Sequence, residues 1–388
     1  MLSSVVHIAD IIIWCAMAFS VGYILFFAII STLRKREVQT VHAGKDPLSR
    51  FLVIYPAYHE DRVIVNSVNK FLQQTYSKDH YDLVVVSDHQ SESTNHILSQ
   101  LPITLLRPVF ERSSKAQALQ YAISNMGEEY DYVVILDADN IVTPDYLHRL
   151  GMVCSQGHQA IQCHRQAKNS DNDISQLDGI SEEINNSIFR KAHNTIGLSS
   201  ALIGSGMCFS YRWFADNVFQ LSTAGEDREI EKLLLEQGIF IKYVEDIPVF
   251  DEKVGCEENF QRQRQRWMSA QLQSLISMAS GLPSAILSFN VNYIDKTIQQ
   301  MLIPRSMLIV GTFAISIIVS IISIAWSVKW WTLTLLTAIA IFLAIPPRMR
   351  SGSLCRLLTY MPRLTWKMLK TLRHIDSKNR EFLHTTHK

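Results

Sequence analysis

Apolar residues along the chain fall into two kinds of run. Three are long. Residues 11–32 hold no charge and at ~1.5 Å per residue are long enough to cross about 30 Å of hydrocarbon. Residues 306–328 and 330–347 make two more spans, with Lys329 and Trp330–Trp331 expected at the turn between them. The other runs are short and β-branched: 51–58 "FLVIYPAY", 82–88 "DLVVVSD", 103–108 "ITLLRP", 131–139 "DYVVILDAD" and 159–164 "QAIQCH". Helical patterns lie between them, near 62–74 and at 113–126. Strands alternating with helices, the strands apolar throughout, predict an α/β fold with a mostly parallel sheet covered on both faces. In such sheets ligands sit at the carboxyl ends of strands, which singles out Glu60, Asp88, Asp137 and Asp139.

Charge refines this layout. The 388 residues carry 37 basic and 36 acidic side chains, a net +1, so no overall field points to nucleic acid. Residues 306–347 contain a single charge, Lys329, whereas 348–388 are strongly basic. The leader "MLSSVVHIAD" lacks Lys and Arg, and "RKR" follows the first span at 34–36, which favours an uncleaved anchor over a signal peptide. Positive-inside bias then places the N-terminus outside, residues 34–305 in the cytosol and the C-terminus inside. A buried helical hairpin is the competing reading of 306–347. Six scattered cysteines without a CxxC pair suit a reducing compartment. The expected organisation is an anchor (1–33), a cytosolic domain (34–260), interface helices (261–305), a membrane hairpin (306–347) and a basic surface tail (348–388). His384 and His387 in that tail are a weak candidate metal pair.

In "ILDADN", Asp137 and Asp139 are two residues apart; on an extended strand both would share a face about 7 Å apart. Oxygen-only ligands favour Mg²⁺ or Mn²⁺, bound with substrate phosphates. The plain alternative, a helix entry at "TPD", explains Thr143 but not acids directly after "YVVIL". Asp88 and Glu60 read either as nucleoside contacts or as turn formers. Lys115 opens a helix, an unusual place for a cation unless an anion binds there; a solvated lysine is the alternative. Glu226 and Asp227 begin another helix, where acids are favourable in any case, but one of them could be a general base. In "QRQRQRWMSAQLQSLISMAS" (261–280), Met268, Leu272, Leu275, Ile276 and Ala279 form a stripe at helical spacing. Gln263 and Arg266 fall opposite it and Trp267 beside it, so one helix could rest on lipid and face a site.

In this order the motifs resemble glycosyltransferase family 2, in particular the membrane synthases that include cellulose, chitin and hyaluronan synthases and ceramide glucosyltransferase. The strings that carry it are "YPAYHE", "VVVSD", "SKAQAL", "DADN", "IGSGMCFSYR", "ED" at 226–227 and "QRQRW" at 263–267, across roughly residues 50–270. The resemblance implies a GT-A fold binding a nucleotide-sugar, usually UDP-linked, with Mg²⁺ or Mn²⁺. It implies nucleoside contacts at Glu60 and Asp88, diphosphate at Lys115, nucleotide at Asp137, metal at Asp139 and a catalytic base at Asp227. Gln263, Arg266 and Trp267 would close over diphosphate and acceptor sugar.

Three departures matter. Gly225 stands where many relatives have Thr, and "SDHQS" (87–91) replaces "DDGS". Two spans after the catalytic domain are few for a polymer channel, so the chain self-associates, a partner subunit completes the path, or no polymer is moved. The leading expectation is a metal-dependent, inverting hexosyltransferase of a bacterial inner membrane with a cytosolic catalytic domain. It would extend a cell-surface polysaccharide from a UDP-hexose or UDP-N-acetylhexosamine. The rivals are single-sugar transfer to a lipid, glycolipid or polyprenyl-linked, and a non-catalytic scaffold.

Overall fold

A computed structural model describes residues 2–33, 49–223 and 225–350. The basic tail beyond 350, with His384 and His387, and the "RKR" at 34–36 lie outside the described residues. Eight strands form one sheet: β1 (Phe51–Tyr58), β2 (Tyr81–Asp88), β3 (Thr104–Leu106), β4 (Tyr132–Ile135), β5 (Ile141–Val142), β6 (Ala160–Ala167), β7 (Met207–Ser210) and β8 (Ile241–Asp251). Their order is β3-β2-β1-β4-β7-β6-β8-β5. The β3-β2-β1-β4 half is parallel, as is β6 with β8, while β7 runs antiparallel to both neighbours and β5 antiparallel to β8.

The unbroken apolar runs of β1 and β2 follow from burial on both faces. Phe51, Val53 and Tyr55 of β1 pack with Ile64, Val68 and Leu147 on one side. Leu52 and Ile54 pack with Leu119, Ala122 and Leu234 on the other. A fully buried side chain of this size contributes roughly 1.5–3 kcal/mol. Cores on both faces fix the register, because a one-residue slip would exchange the two sets.

Three helices are long and apolar enough to cross a membrane, spanning Val5–Ser31, Arg305–Ile322 and Ile324–Ala344. The turn between the last two falls at Ser323, not at Lys329 as the sequence suggested. Ser323 is extended (φ −160°, ψ 118°) and its side chain accepts the Trp326 amide, so one residue makes the break. Lys329 sits inside the following helix because Asp10 of the first helix neutralises it. Trp326 and Trp330 also donate to Asp10, at 3.1 and 2.8 Å. A charge with a partner needs no turn to reach water.

Residues 261–280 do lie in one helix, Glu257–Ala279. Leu272 and Ile276 of the apolar stripe are exposed, with Leu287 and Phe289 beyond them. Met268 departs from the stripe and lines the internal cavity.

Candidate active site

The parallel register sets Tyr58 of β1 beside Asp88 of β2, so the carboxyl ends of adjacent strands open on one side of the sheet. There a cavity of about 510 Å³ is lined by Glu60, Asp88, Lys115, Asp137, Asp139, Asp227, Gln263, Arg266 and Trp267. These nine candidates named from the sequence therefore border a single space.

The two aspartates of "DADN" are not on an extended strand: β4 ends at Ile135 and both lie in the turn after it. Asn140, fully buried, shapes that turn. Its Oδ1 accepts the Asp137 amide (2.9 Å) and its Nδ2 donates to Asp139 Oδ1 (3.0 Å). Ser205 donates to the same Asn140 oxygen, tying the turn to the glycine-rich segment. The aspartates consequently diverge. Asp137 Oδ1 accepts from Lys115 Nζ at 2.5 Å, while Asp139 Oδ2 accepts the Glu252 amide at 2.8 Å.

Lys115, at the start of helix Lys115–Asn125, bridges three groups: Asp137, the Gly204 carbonyl (2.5 Å) and Glu226 Oε1 (3.4 Å). Burial works against charge at Lys115, but Asp137, Glu226 and Asp227 outweigh it and raise its pKa. Burial likewise opposes ionisation of Asp137, yet Lys115, Arg165 and Arg266 hold it below the usual carboxylate range. Glu226 behaves differently: burial, with Asp227 and Asp137 adding to it against Lys115, pushes its carboxyl up to about 7. Asp227, beside it at the start of helix Glu226–Glu236, accepts the Arg228 amide at 2.9 Å.

Gly204 faces this charge cluster with φ +75°; a Cβ there would lie 3.7 Å from Glu226 Oε1 and Lys115 Nζ and 3.8 Å from Asp227 Oδ2. Only glycine takes that backbone shape without strain. His59 and His89, just past β1 and β2, also have positive φ, 55° and 56°. Non-glycine residues rarely adopt it, at a cost of order 1–3 kcal/mol, and such strain clusters at functional sites. His89 Nδ1 lies 2.6 Å from Asp88 Oδ1.

Two cavity residues were missed by the sequence reading, Arg165 outside any motif and Arg264 inside one. Arg165 on β6 donates to Asp251 at the end of β8 (2.7 Å), and Lys253 pairs with the same acid (2.8 Å). Arg264, within the signature but not selected, bonds Asp178 (2.7 Å) and lies over the rings of Trp267 (4.5 Å) and Phe260 (4.8 Å).

Among the described residues no cluster of three or more His, Cys, Asp or Glu forms a metal cage. Mg²⁺ and Mn²⁺ need none, since one or two carboxylates plus substrate phosphates suffice. Burial, together with Asp139, Asp137, Glu252 and Asp61, pushes Glu60 up to about 8. Glu60, Asp137 and Asp139, which all line the cavity, are the carboxylates that could hold such a cation.

A family model described as glycosyltransferase-like family 2 matches residues 49–270, more than half of the chain. The protein is therefore a member of glycosyltransferase family 2. Its fold is similar to that of the mannosyltransferase PcManGT from Pyrobaculum calidifontis, solved with GDP-Man and Mn²⁺: TM-score 0.51, 16% identity, covering 85% of this chain and 97% of that one. TarS 1-349 from S. aureus aligns at TM-score 0.45 and 13% identity over 84% and 90% of the two chains. Glucosyl-3-phosphoglycerate synthase from Mycobacterium tuberculosis aligns at 0.42 and 16%, over 59% and 78%. No curated protein sequence matches the chain.

Proposed function

We propose that this chain is a membrane-bound, inverting glycosyltransferase moving a hexose or N-acetylhexosamine from a nucleotide-sugar, UDP-linked, to an acceptor reaching it from the membrane. One observation carries this: a single cavity runs from the acidic strand ends, past Asp227 and Trp267, to residues of all three apolar helices.

In this reading Asp88 and Glu60 hold the nucleoside and Asp137 the nucleotide. Asp139 would hold Mg²⁺ or Mn²⁺, which would supply positive charge against the diphosphate. PcManGT, described with GDP-Man and Mn²⁺, is a parallel for a nucleotide-sugar beside a divalent cation, though its base is guanine. Asp227 takes the proton from an acceptor hydroxyl. That oxygen bonds to the anomeric carbon as the carbon–oxygen bond to the diphosphate breaks, and the nucleoside diphosphate leaves from the opposite face. Lys115 and Arg266 stabilise its growing charge, an effect worth several kcal/mol in a water-poor cleft. Gln263 and Trp267 position the acceptor.

The product expected from the sequence is a growing polysaccharide; the indole face of Trp267 suits a pyranose in that acceptor and in a lipid-linked one alike. Single addition to a lipid is the second reading, favoured by the isoleucines at the cavity's far end. Purified enzyme given labelled nucleotide-sugars with Mn²⁺ discriminates: a ladder supports the first, one glycolipid the second. Neither nucleotide release nor transfer with any common donor would reject both and restore the scaffold reading.

A further inference from the structure

An ammonium group has three N–H donors and no acceptor. Around Lys115 three oxygens already stand. Asp137 Oδ1 and the Gly204 carbonyl accept from its Nζ at 2.5 Å each, and Glu226 Oε1 lies 3.4 Å away. The pair is enclosed: the Lys115 side chain is 14% exposed and that of Glu226 9%. A diphosphate arriving in this cavity can therefore bond to Lys115 only by displacing one of the three oxygens.

The three are not held alike. Gly204 presents a backbone carbonyl, which the chain itself fixes. Asp137 makes a short contact and is kept charged by Arg165 and Arg266 as well, so it goes on attracting Lys115. Glu226 makes the long contact. Burial, Asp227 and Asp137 all oppose its charge, Lys115 is the cation that favours it, and the balance puts the carboxyl at about 7. Once Lys115 turns away, the carboxylate stays buried beside two other acids, a state that desolvation and like charge both disfavour. One proton from water settles it, forming an O–H bond on Glu226 and breaking none in the protein. Glu226 is thus the oxygen that can be given up without stranding a buried charge.

A donor's diphosphate is the stronger partner, because it brings several negative charges and acceptor oxygens where Glu226 brings one carboxylate. Resting on the glycosyltransferase reading, we propose that Glu226 is a positioning residue for the donor: it holds Lys115 while no donor is bound and yields it to the donor's diphosphate. Donor entry and proton uptake at Glu226 are then one event. The charged groups acting on Glu226 are Lys115 at the start of its helix, Asp137 in the turn after β4 and Asp227 on Glu226's own helix. As pH rises, the Glu226 carboxylate charges, keeps Lys115 and opposes the donor more strongly. This opposition runs against the gain that ionised Glu60 gives a bound cation, so it is read as a difference between wild type and variant.

Calorimetry on the full chain purified in detergent, with UDP or GDP and saturating Mn²⁺, gives affinity and, from buffers of differing ionisation enthalpy, protons taken up. At about pH 8, Glu226→Gln should bind the nucleotide about five-fold more tightly than wild type, and the two should converge toward about pH 6. Damage to the fold would weaken binding, not tighten it. Wild type should take up more protons than Glu226→Gln at the alkaline end. On a Lys115→Gln background the same substitution should change affinity by less than about two-fold. An equal gain on both backgrounds would mean that Glu226 repels the nucleotide directly, and overturns the exchange. So would unchanged or weaker binding by Glu226→Gln, or equal proton uptake by the two proteins. If Glu226→Gln does not fold, Lys115→Gln takes its place: lower proton uptake than wild type supports the proposal and equal uptake overturns it. Nucleotide binding without any dependence on Glu226 removes the exchange and leaves the glycosyltransferase reading standing. No binding of either nucleotide to wild type rejects that reading and the exchange with it.

Discussion

Glu226 and Asp227 are neighbours in sequence but sit in different surroundings. Glu226 is buried against Lys115, whereas Asp227 is half-buried at the cavity wall with one oxygen on the Arg228 amide. The residue with an accessible oxygen is the better base, so Asp227→Asn should lower transfer by about 10²–10⁴-fold while nucleotide affinity, measured by calorimetry, stays near wild type. Near-wild-type turnover would remove Asp227 from that role. Glu60 supplies a pH prediction. Its carboxyl rises from 4.5 to about 8 on folding, so the fold binds that proton more tightly than the unfolded chain does. The resulting stability is complete below the unfolded value and is lost as pH rises through the folded one. The melting temperature without added metal should therefore fall between about pH 5 and pH 8, and Glu60→Gln should flatten that slope. Mn²⁺ with a nucleoside diphosphate should restore more stability at the alkaline end, where the carboxylates are charged.

Among the elements, β7 shows how the sheet changes direction without losing its packing. Gly206 precedes this strand with φ +64°, and a Cβ there would lie 2.9 Å from Val249 Cγ2 of β8 and 3.4 Å from Cys163 Cβ of β6. Gly206→Ala should destabilise the protein by about 1–3 kcal/mol through overpacking, with backbone strain adding to it, read as a lower melting temperature. The boundaries of β1 and β2 were legible because strands buried on both faces are written as continuous apolar runs. β7 was not, since "GSGMCFS" reads as a glycine-rich loop. Nor was β8, whose Glu245 and Asp246 interrupt its apolar pattern where the sheet leaves them exposed. Helix Glu257–Ala279 was legible as one element with two faces. The exact side of each residue was not, because Met268 turns inward where the helix crosses the cavity mouth.

In the molecule as a whole, the catalytic body and the spans share one interior. Tyr23 of the first span donates to Asp295 (2.7 Å) and lies 2.9 Å from His193 Nε2, while Phe27 stacks on the His193 ring at 3.7 Å. The sheet domain is thus joined to the first apolar helix by a buried polar contact as well as by chain connectivity. If the acceptor reaches the site through that junction, widening its apolar end should change acceptor use without changing the donor. Ile341→Ala should leave nucleotide release to water near wild type and lower transfer to lipid acceptor several-fold, measured on the same preparation with labelled donor.

Taken alone, the amino-acid order determined the family, the presence of three apolar helices and the central strands, and it named nine candidate site residues, because each is written locally: an apolar run, an acid after a strand, a signature string. Tertiary structure alone decided that Asn140 bends the "DADN" turn, that Lys115 is already paired with Asp137 and Glu226, and that Lys329 belongs inside a helix opposite Asp10. It also decided which arginines share a wall with the isoleucines of the spans. These are contacts between segments far apart in the chain, and the charge state and direction of a side chain depend on the partners that folding brings to it.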